Sequence, residues 1–543
     1  MEKDSAGFFS FGKQHGNTQT FCNALAIFGT VWYNENKEYF QYVKTEEIMT
    51  NTKLLSLLLA GAMLVPLTGC GDSAGTETQP IAADTEPAET EYIPTIAETL
   101  AEKYADTDYA GHTFRIMGNA PGGFFYKKIN DQANEIWYES LTGDIYNDAV
   151  YQRNSMTEEL LNITIEPQWV SDFDITPQIK KLVTAGDSSV DAALGAMSYH
   201  INIAVAGNLY NLHEVDTMEL EAEWYDQSIV KNYSYKKDKL YAIAGAYNVF
   251  DDYGLPVIFY GKNILTLHDL QDPSELVMEG SWNIDNMMIM SETAAVDLNG
   301  DGKMTIDDDS WGFTDNSGGM KHMMEGIGHA ITKVDGEGVP YLNCLTPEYL
   351  DAAEFVYNRV FASDGTIEVP DNGKLVAVFK EERILFYYEL LGCINEFREM
   401  ESSFSLLPLP KLNEQQEEYV TPVNSVWCTA LAIPVTSEDV ARTGTILNVL
   451  SAYSVDTVNK TLYELILGSK LIREETSLVM LDYVWANKQY CWGNGYSWAS
   501  PMESIFTSQY NGNSFVMASQ LQKQGEKLQA ALDKFLQQFE ELP

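Results

Sequence analysis

The sequence predicts an α/β protein with a parallel sheet, in a chain long enough for two domains or lobes. Short apolar strands alternate with helical segments between residues 112 and 196, an order typical of parallel sheets covered by helices. The chain has 543 residues, of which 45% are hydrophobic and 12% aromatic, so it has enough apolar side chains for more than one core.

The first predicted strand is 112–117, and it ends at the glycine-rich turn 118–123. In parallel α/β sheets, ligands bind at the carboxyl ends of the strands, so this turn and Met197–His200 are expected near any binding site. The other elements predicted for this half are a helix over 144–161, a strand at 163–167, a helix over 177–185 and a strand at 190–196.

The end of the chain predicts an amphipathic helix that docks on the folded domain. Its apolar residues recur at helical spacing, which places them on one face. They are Leu528, Leu532, Phe535 and Phe539.

The segment 49–70 is typical of a bacterial lipoprotein export signal. About a dozen apolar residues are too few to span a bilayer, and the run ends in Leu67-Thr68-Gly69-Cys70. We expect 49–69 to be the signal peptide and Cys70 to be lipidated, with the protein held at the outer face of the cell membrane.

The regions on either side of this signal are not expected to fold. We interpret 1–48 as a misassigned upstream extension, with translation starting at Met49. Residues 70–97 are rich in Thr, Ala, Glu and Pro, hold no Lys or Arg after Cys70, and predict a flexible acidic tether.

The charge excludes nucleic acid as a partner. The formal net charge is -45, from 34 basic and 79 acidic residues, whereas phosphate binding depends on clustered Lys and Arg.

The cysteines beyond Cys70 are widely spaced and form no CxxC pair, so they predict neither a zinc site nor a redox motif. One or two disulfides remain open, although buried thiols are the expectation for Cys344, Cys393, Cys428 and Cys491.

The segment 297–308 matches the twelve-residue calcium loop. It has oxygen-bearing side chains at positions 1, 3 and 5, a glycine at position 6, and a carboxylate at position 12. A metal-free acidic turn is the alternative. The predicted Ca²⁺ ligands are Asp297, Asn299, Asp301, the Lys303 carbonyl, Thr305 and Asp308.

The order of several further motifs resembles the extracellular solute-binding lipoproteins of carbohydrate ABC transporters, a family-1-like group of Gram-positive type. The resemblance covers nearly the whole chain after Cys70, and no single motif is diagnostic. The motifs are Ala185–Asp191, Leu209–Leu212, Val257–Lys262, Glu279–Asp285, and Phe404–Lys411 followed by Glu414–Tyr419.

The resemblance implies a periplasmic-binding-protein-like fold, with two α/β lobes joined by hinge crossings and a small carbohydrate gripped between them. Lobe 1 would comprise 98–252 and 424–488, and lobe 2 would comprise 253–423 and 489–543, with the calcium-like loop in lobe 2. The protein would be a monomer that delivers its ligand to an ABC transporter permease and catalyses nothing.

Two other function classes remain as alternatives: a surface carbohydrate-active enzyme and a calcium-stabilised cell-wall adhesion protein. No pair of carboxylates has a spacing that stands out, and no HExxH or P-loop pattern occurs. The class of the ligand is itself open, because the sequence does not distinguish a sugar from a peptide.

A sugar site should combine aromatic rings with planar polar side chains, because sugar C–H groups stack on rings and hydroxyls need hydrogen bonds. The resembled family places an aromatic residue at a strand end that faces the cleft, and Tyr387 is in such a position. For each aromatic candidate, a place in a lobe core is the alternative. The candidates are Asn119, Tyr199, His200, Tyr387, Trp427 and Trp498.

Overall fold

The computed structural model describes most of the chain after residue 93. The chain divides into two compact units: the described residues from Tyr104 onward belong to the larger, and helix Ile96–Lys103 to the smaller. No helix in the described part is both long and apolar enough to cross a membrane. The described residues are 94–122, 133–171, 174–248, 252, 254–316, 318–397, 400–423, 428–467, 475–495, 499, 501–510 and 514–542.

Thirteen strands are present in the described residues. They are β1 His112–Asn119, β2 Ile163–Val170, β3 Ala192–Ala196, β4 Pro256–Gly261, β5 Trp311–Asp315, β6 Thr332–Val334, β7 Pro340–Leu342, β8 Thr366–Glu368, β9 Ile384–Leu390, β10 Phe404–Leu407, β11 Thr421–Val423, β12 Thr429–Ala432 and β13 Lys488–Tyr490.

Helices connect and cover these strands. They are α1 Ile96–Lys103, α2 Ile145–Leu161, α3 Ile175–Ala185, α4 Met197–Ala204, α5 Gln227–Tyr233, α6 Lys262–Leu267, α7 Pro273–Met278, α8 Ile284–Ala294, α9 Gly319–Gly326, α10 Pro347–Val356, α11 Asn372–Lys380, α12 Val440–Ser454, α13 Lys460–Leu467, α14 Glu475–Ala486, α15 Trp492–Gly495, α16 Pro501–Tyr510 and α17 Met517–Glu540. Short 3₁₀ or π segments are Leu212–Glu214, Asn343–Leu345, Tyr357–Phe361, Leu391–Phe397 and Val455–Asn459.

The first lobe is built on a four-stranded sheet of order β12-β3-β1-β2. The three strands from the first part of the chain pair in parallel, whereas β12 returns from far along the chain and pairs antiparallel to β3. β3 is buried along its whole length, as expected for a strand covered on both faces. The predicted alternation of strands and helices is confirmed.

Local chemistry sets the ends of these helices. The Asp144 carboxylate caps α2 by accepting hydrogen bonds from the backbone N–H groups of Tyr146 and Asn147. The helix ends at Asn162, which adopts a left-handed conformation with φ 50°. Asparagine tolerates this conformation better than most residues, so the chain can turn directly into β2.

The second lobe is built on a five-stranded sheet of order β10-β4-β9-β5-β8. β5 pairs in parallel with β8 and β9, and β4 runs antiparallel to both β9 and β10. Every residue of β9 is buried. An aromatic cluster of Phe259, Phe397 and Phe404 packs on one face of this sheet.

Helices α13 and α14 follow each other among the described helices but pack on different parts of the fold. Helix α14 packs on β10 of the second sheet, and the Ser477 hydroxyl lies 2.8 Å from that of Ser405. Helix α13, in contrast, packs on α2, which packs on the first sheet. The sequence-based lobe boundaries at 252/253, 423/424 and 488/489 stay predictions.

The C-terminal helix α17 docks on the domain as predicted. Phe539 packs edge-on against Tyr235 and Tyr241, each with 5.7 Å between ring centroids. Nearer the start of the helix, Gly525 packs close to Leu345. The helix therefore contacts segments that the sequence assigned to both lobes. Cys344, Cys393, Cys428 and Cys491 are buried, as expected for these four cysteines.

Candidate ligand-binding site

The site is defined by where the strands end. β4 begins at the edge of its sheet where β9 ends, since Pro256 pairs with Leu390. β12 likewise begins where β3 ends, since Thr429 pairs with Ala196. The first residues of β4 and β12 therefore lie at the carboxyl edges of the two sheets. Ligands of open α/β sheets bind at such edges.

At the edge of the first sheet, three polar side chains form the Glu135 cluster: Glu135, Asn248 and Thr429. The Asn248 amide donates to the Thr429 hydroxyl over 2.9 Å, and this hydroxyl donates to Glu135 Oε2 over 3.0 Å. Glu135 and Asn248 are completely buried. No sequence pattern indicated this cluster, because its members come from three distant segments.

The buried Arg153 contacts the segment that carries Glu135. The Arg153 guanidinium stacks on the Tyr247 ring, 4.1 Å from its centroid, and donates to the Glu135 backbone carbonyl over 2.8 Å. Its Nη1 has no hydrogen-bond partner. Arg153 thus fixes the backbone that carries Glu135. Its buried Nη1 could donate a hydrogen bond to a further acceptor.

Three of the sequence-predicted ligand contacts lie at this same edge. Asn119 is the last residue of β1, is buried, and has no partner for its Oδ1. Tyr199 is half-buried in α4, directly after β3. Burial lowers the pKa of the neighbouring His200 to about 4, so its imidazole is neutral at physiological pH.

At the edge of the second sheet, four side chains form the Glu389 cluster: Asn316, Asn372, Tyr387 and Glu389. Asn316 Nδ2 donates to Asn372 Oδ1 over 2.9 Å and to Glu389 Oε2 over 2.8 Å. The Tyr387 hydroxyl donates to Asn372 Oδ1 over 3.0 Å. Asn372 Nδ2 also donates to Glu389 Oε2. Neutral donors therefore solvate this buried carboxylate.

The Glu389 cluster leaves one acceptor available. Asn316 Oδ1 is buried and has no hydrogen-bond partner, because the amide nitrogen of the same side chain is held by Asn372 and Glu389. Asn316 follows β5 directly, at the carboxyl edge. An acceptor in this position suits a hydroxyl group of a ligand.

The predicted aromatic contacts have different outcomes. The ring of Tyr387 is completely buried and packs against Phe379 and Phe397, with centroid distances of 5.7 and 6.3 Å. This ring belongs to the lobe core, and only its hydroxyl joins the polar cluster. Trp427 and Trp498 lie outside the described residues.

A buried ion pair joins β13 to the segment before β4. Lys488 Nζ is 3.0 Å from Asp252 Oδ1, and the Tyr490 hydroxyl donates to Asp226 Oδ2 over 3.1 Å. Lys488 and Tyr490 lie on β13, which pairs with β11. Burial raises the pKa of both Asp226 and Asp252 to about 6, although Lys488 opposes the shift. The sequence showed no sign of this pair, since most lysines are solvated.

The calcium-like loop is organised by its own backbone. Asp297 accepts hydrogen bonds from the N–H groups of Gly300 and Gly302 over 2.7 and 2.8 Å. Asn299 and Asp301 accept from residues two positions further on. The buried Asp309, which follows the loop, accepts from Leu298 and Thr305.

The oxygen atoms of this loop suit Ca²⁺, and both Gly300 and Gly302 have the positive φ that the tight turns require. However, no group of three or more His, Cys, Asp or Glu side chains in the described residues is gathered as a metal site. Calcium binding would require Asp297, Asp301 and Asp308 to turn towards a common centre.

Comparisons with known proteins identify the fold. Searches with protein-family models and against curated protein sequences gave no match. Among solved structures, the cyclic α-maltosyl-1,6-maltose binding protein from Arthrobacter globiformis matches with a TM-score of 0.52 and 12% identity, covering 78% of this chain and 100% of that one.

Two further structures are similar at a lower level. The galacto-N-biose/lacto-N-biose I-binding protein of the ABC transporter from Bifidobacterium longum has a TM-score of 0.49 and 12% identity, covering 78% of this chain and 98% of that one. An ABC substrate-binding protein from Listeria monocytogenes in complex with cycloalternan has a TM-score of 0.45 and 12% identity. That match covers 79% of this chain and 99% of the Listeria chain. The assignment depends on the Arthrobacter structure and on the sheet topology. The chain has a periplasmic-binding-protein-like α/β fold, which it shares with the Arthrobacter binding protein.

Proposed function

We propose that this protein is an extracellular lipoprotein that captures a carbohydrate between its lobes for import by an ABC transporter, without catalysing a reaction. The observation that carries the proposal is the pair of buried polar clusters at the carboxyl edges of the two sheets. Each cluster brings together side chains from sequence-distant segments, at the end where the parallel strands of its sheet finish.

The chemistry of both clusters suits hydroxyl groups. Asn119 and Asn316 each hold a buried oxygen without a partner, and the buried Arg153 Nη1 has no acceptor. A sugar hydroxyl both donates and accepts, so it could satisfy either kind of atom. Stacking would come from Tyr199, Trp427 or Trp498, since the Tyr387 ring is covered.

The lobes would close on the ligand by hinge motion, and the permease would recognise the closed form. Cys70 would anchor the protein through its lipid at the outer face of the membrane. The solved neighbours are named as binding proteins, and the Listeria structure contains cycloalternan. These names support a carbohydrate ligand and a transporter partner for this chain.

Calorimetry against a panel of neutral mono- and oligosaccharides tests the proposal. The wild type should bind at least one member, and Asn316→Ala should weaken that binding about tenfold or more, because it removes a buried acceptor. Arg359→Met is a matched control, since Arg359 pairs with Asp285 and Glu292 at the surface. A wild type that binds no sugar, or that hydrolyses the panel, would rule the proposal out.

A further inference from the structure

A groove on the outer face of α10 takes no part in the Glu135 or Glu389 clusters. Its volume is about 390 Å³. The residues that line it recur at helical spacing along α10 and the π segment that follows, so they share one face. We call it the α10 groove, and its lining residues are Asp351, Glu354, Phe355, Asn358 and Arg359.

The α10 groove has an excess of negative charge. Asp351 and Glu354 are exposed acids within it. Arg359 is the one basic residue among the described lining residues, and its guanidinium pairs with Asp285 and Glu292 of α8 over 3.0 and 2.5 Å. Both carboxylates that hold this guanidinium come from α8, so Asp351 and Glu354 add negative charge that Arg359 does not offset.

Two apolar side chains accompany these charges. Phe355 is half-buried within the groove. Ile289 of α8 is 56% exposed, and it lies four positions after Asp285 and three before Glu292, on the same helix face. Because Arg359 contacts both of these acids, Ile289 lies beside the Arg359 end of the groove. Apolar surface rimmed by charged residues is typical of protein interaction sites.

The charge restricts what can occupy the α10 groove. A second copy of this chain would bring a net charge of -45 to an acidic surface. The tether cannot supply cations either, because 71–97 holds no Lys or Arg. A basic segment of another protein is complementary in charge, and one apolar side chain of that segment could pack against Phe355.

We propose that the α10 groove binds a short basic segment of a partner protein. One apolar side chain of this segment packs against Phe355, and its Lys or Arg side chains lie beside Asp351 and Glu354. Charge attraction brings the partner to the surface, and the apolar contact selects it. The proposal goes beyond carbohydrate capture and does not depend on it, because the groove shares no residue with the proposed sugar site.

Fluorescence anisotropy on the full chain tests the proposal at physiological ionic strength. The probes are two lysine-rich peptides that differ only at the central residue, which is Leu in one and Gly in the other. The wild type should bind the Leu peptide about tenfold more tightly, because a packed apolar anchor dominates the binding energy of such a contact. Phe355→Ser should remove this preference. Glu354→Lys should weaken both peptides about tenfold, because it replaces attraction with repulsion.

Asp187→Lys is the matched control, since it makes the same charge change at an exposed acid that follows α3 on the first sheet. It should change the affinity for either peptide less than about twofold, because salt screens distant charges. Should Phe355→Ser fail to fold, the exposed Glu354→Lys still provides the test. Equal affinity of the wild type for both peptides, or equal losses for Glu354→Lys and Asp187→Lys, would overturn the proposal. A wild-type dimer in sedimentation that Glu354→Lys dissociates would assign the groove to a second copy and overturn it as well.

Discussion

Lys488 Nζ lies 3.0 Å from Asp252 Oδ1, and the lysine side chain is completely buried. Asp252 lies just before β4, and Lys488 begins β13, so the pair joins two segments that are 236 positions apart in the sequence. Asp226 is a second buried carboxylate whose pKa is influenced by the same lysine. Lys488 is therefore one cation beside two buried carboxyl groups, so these three side chains together are short of positive charge.

This shortage predicts that the protein is more stable in mild acid than at neutral pH. The pKa values of Asp226 and Asp252 rise from 3.8 to about 6 on folding, chiefly through burial. Protonation of the folded state is thus favoured, and the stability gained is largest below pH 4 and is lost as the pH rises through about 6. Each titrating carboxyl contributes on the order of 3 kcal/mol.

Denaturant melts between pH 5 and 8 measure this effect. Asp226→Asn and Asp252→Asn should each reduce the decrease in the free energy of unfolding between pH 5 and pH 8. Asp187→Asn is the control, because Asp187 is exposed and its pKa is lowered by Ser189. The interpretation fails if both buried variants keep the wild-type slope.

Removal of the shared cation should be costly. Lys488→Met would leave Asp226 and Asp252 buried without their cation, and loss of one partner of a buried pair costs about 3 to 5 kcal/mol. The loss should be smaller at pH 5 than at pH 8, because the acids can then be neutral. A melt that shows equal losses at both pH values would contradict this account.

Tyr387 should matter first for stability. Tyr387→Ala removes a ring that packs against Phe379 and Phe397, and a buried aromatic cut to Ala costs about 3 to 5 kcal/mol. Tyr387→Phe keeps the ring and removes the hydroxyl bonded to Asn372, so it should cost about 1 kcal/mol. Chemical denaturation of both variants separates the contributions. An alanine variant as stable as the wild type would place the ring outside the core.

Calcium should stabilise the protein if the loop 297–308 binds it. The side chains would then leave the backbone N–H groups that they now accept from and coordinate the metal. We expect the melting temperature to rise in calcium and to fall with chelator. Asp301→Ala should lower the melting temperature in calcium towards the chelated value, whereas Asp187→Asn should not. Superimposable wild-type curves with and without chelator would exclude a stabilising site.

Cys70 should decide where the protein resides. Cys70→Ala removes the thiol that would carry the lipid, so the variant should leave the membrane fraction or remain unprocessed. Cys344→Ala, at a buried thiol, is the control and should stay with membranes. Cell fractionation and mass spectrometry measure both. An unmodified surface protein that retains residues 1–48 would refute lipidation at Cys70.

The sequence by itself determined the order of the strands and helices between residues 112 and 196 and the face of α17 that packs inward. These features depend on local periodicity: the alternation between 112 and 196 and the spacing of Leu528, Leu532, Phe535 and Phe539. It also indicated that Asn119 and Tyr199 lie near a strand end, because each follows a recognisable strand.

Only the tertiary structure decided which side chains form the clusters. Asn316 and Glu389 are 73 positions apart, and Lys488 and Asp252 are 236 apart, so no local pattern connects them. Because β9 is buried on both faces, its sequence does not distinguish a core ring from a cleft ring at Tyr387. Burial and long-range pairing are properties of the folded chain, and they fix which polar atoms keep partners and which remain open to a ligand.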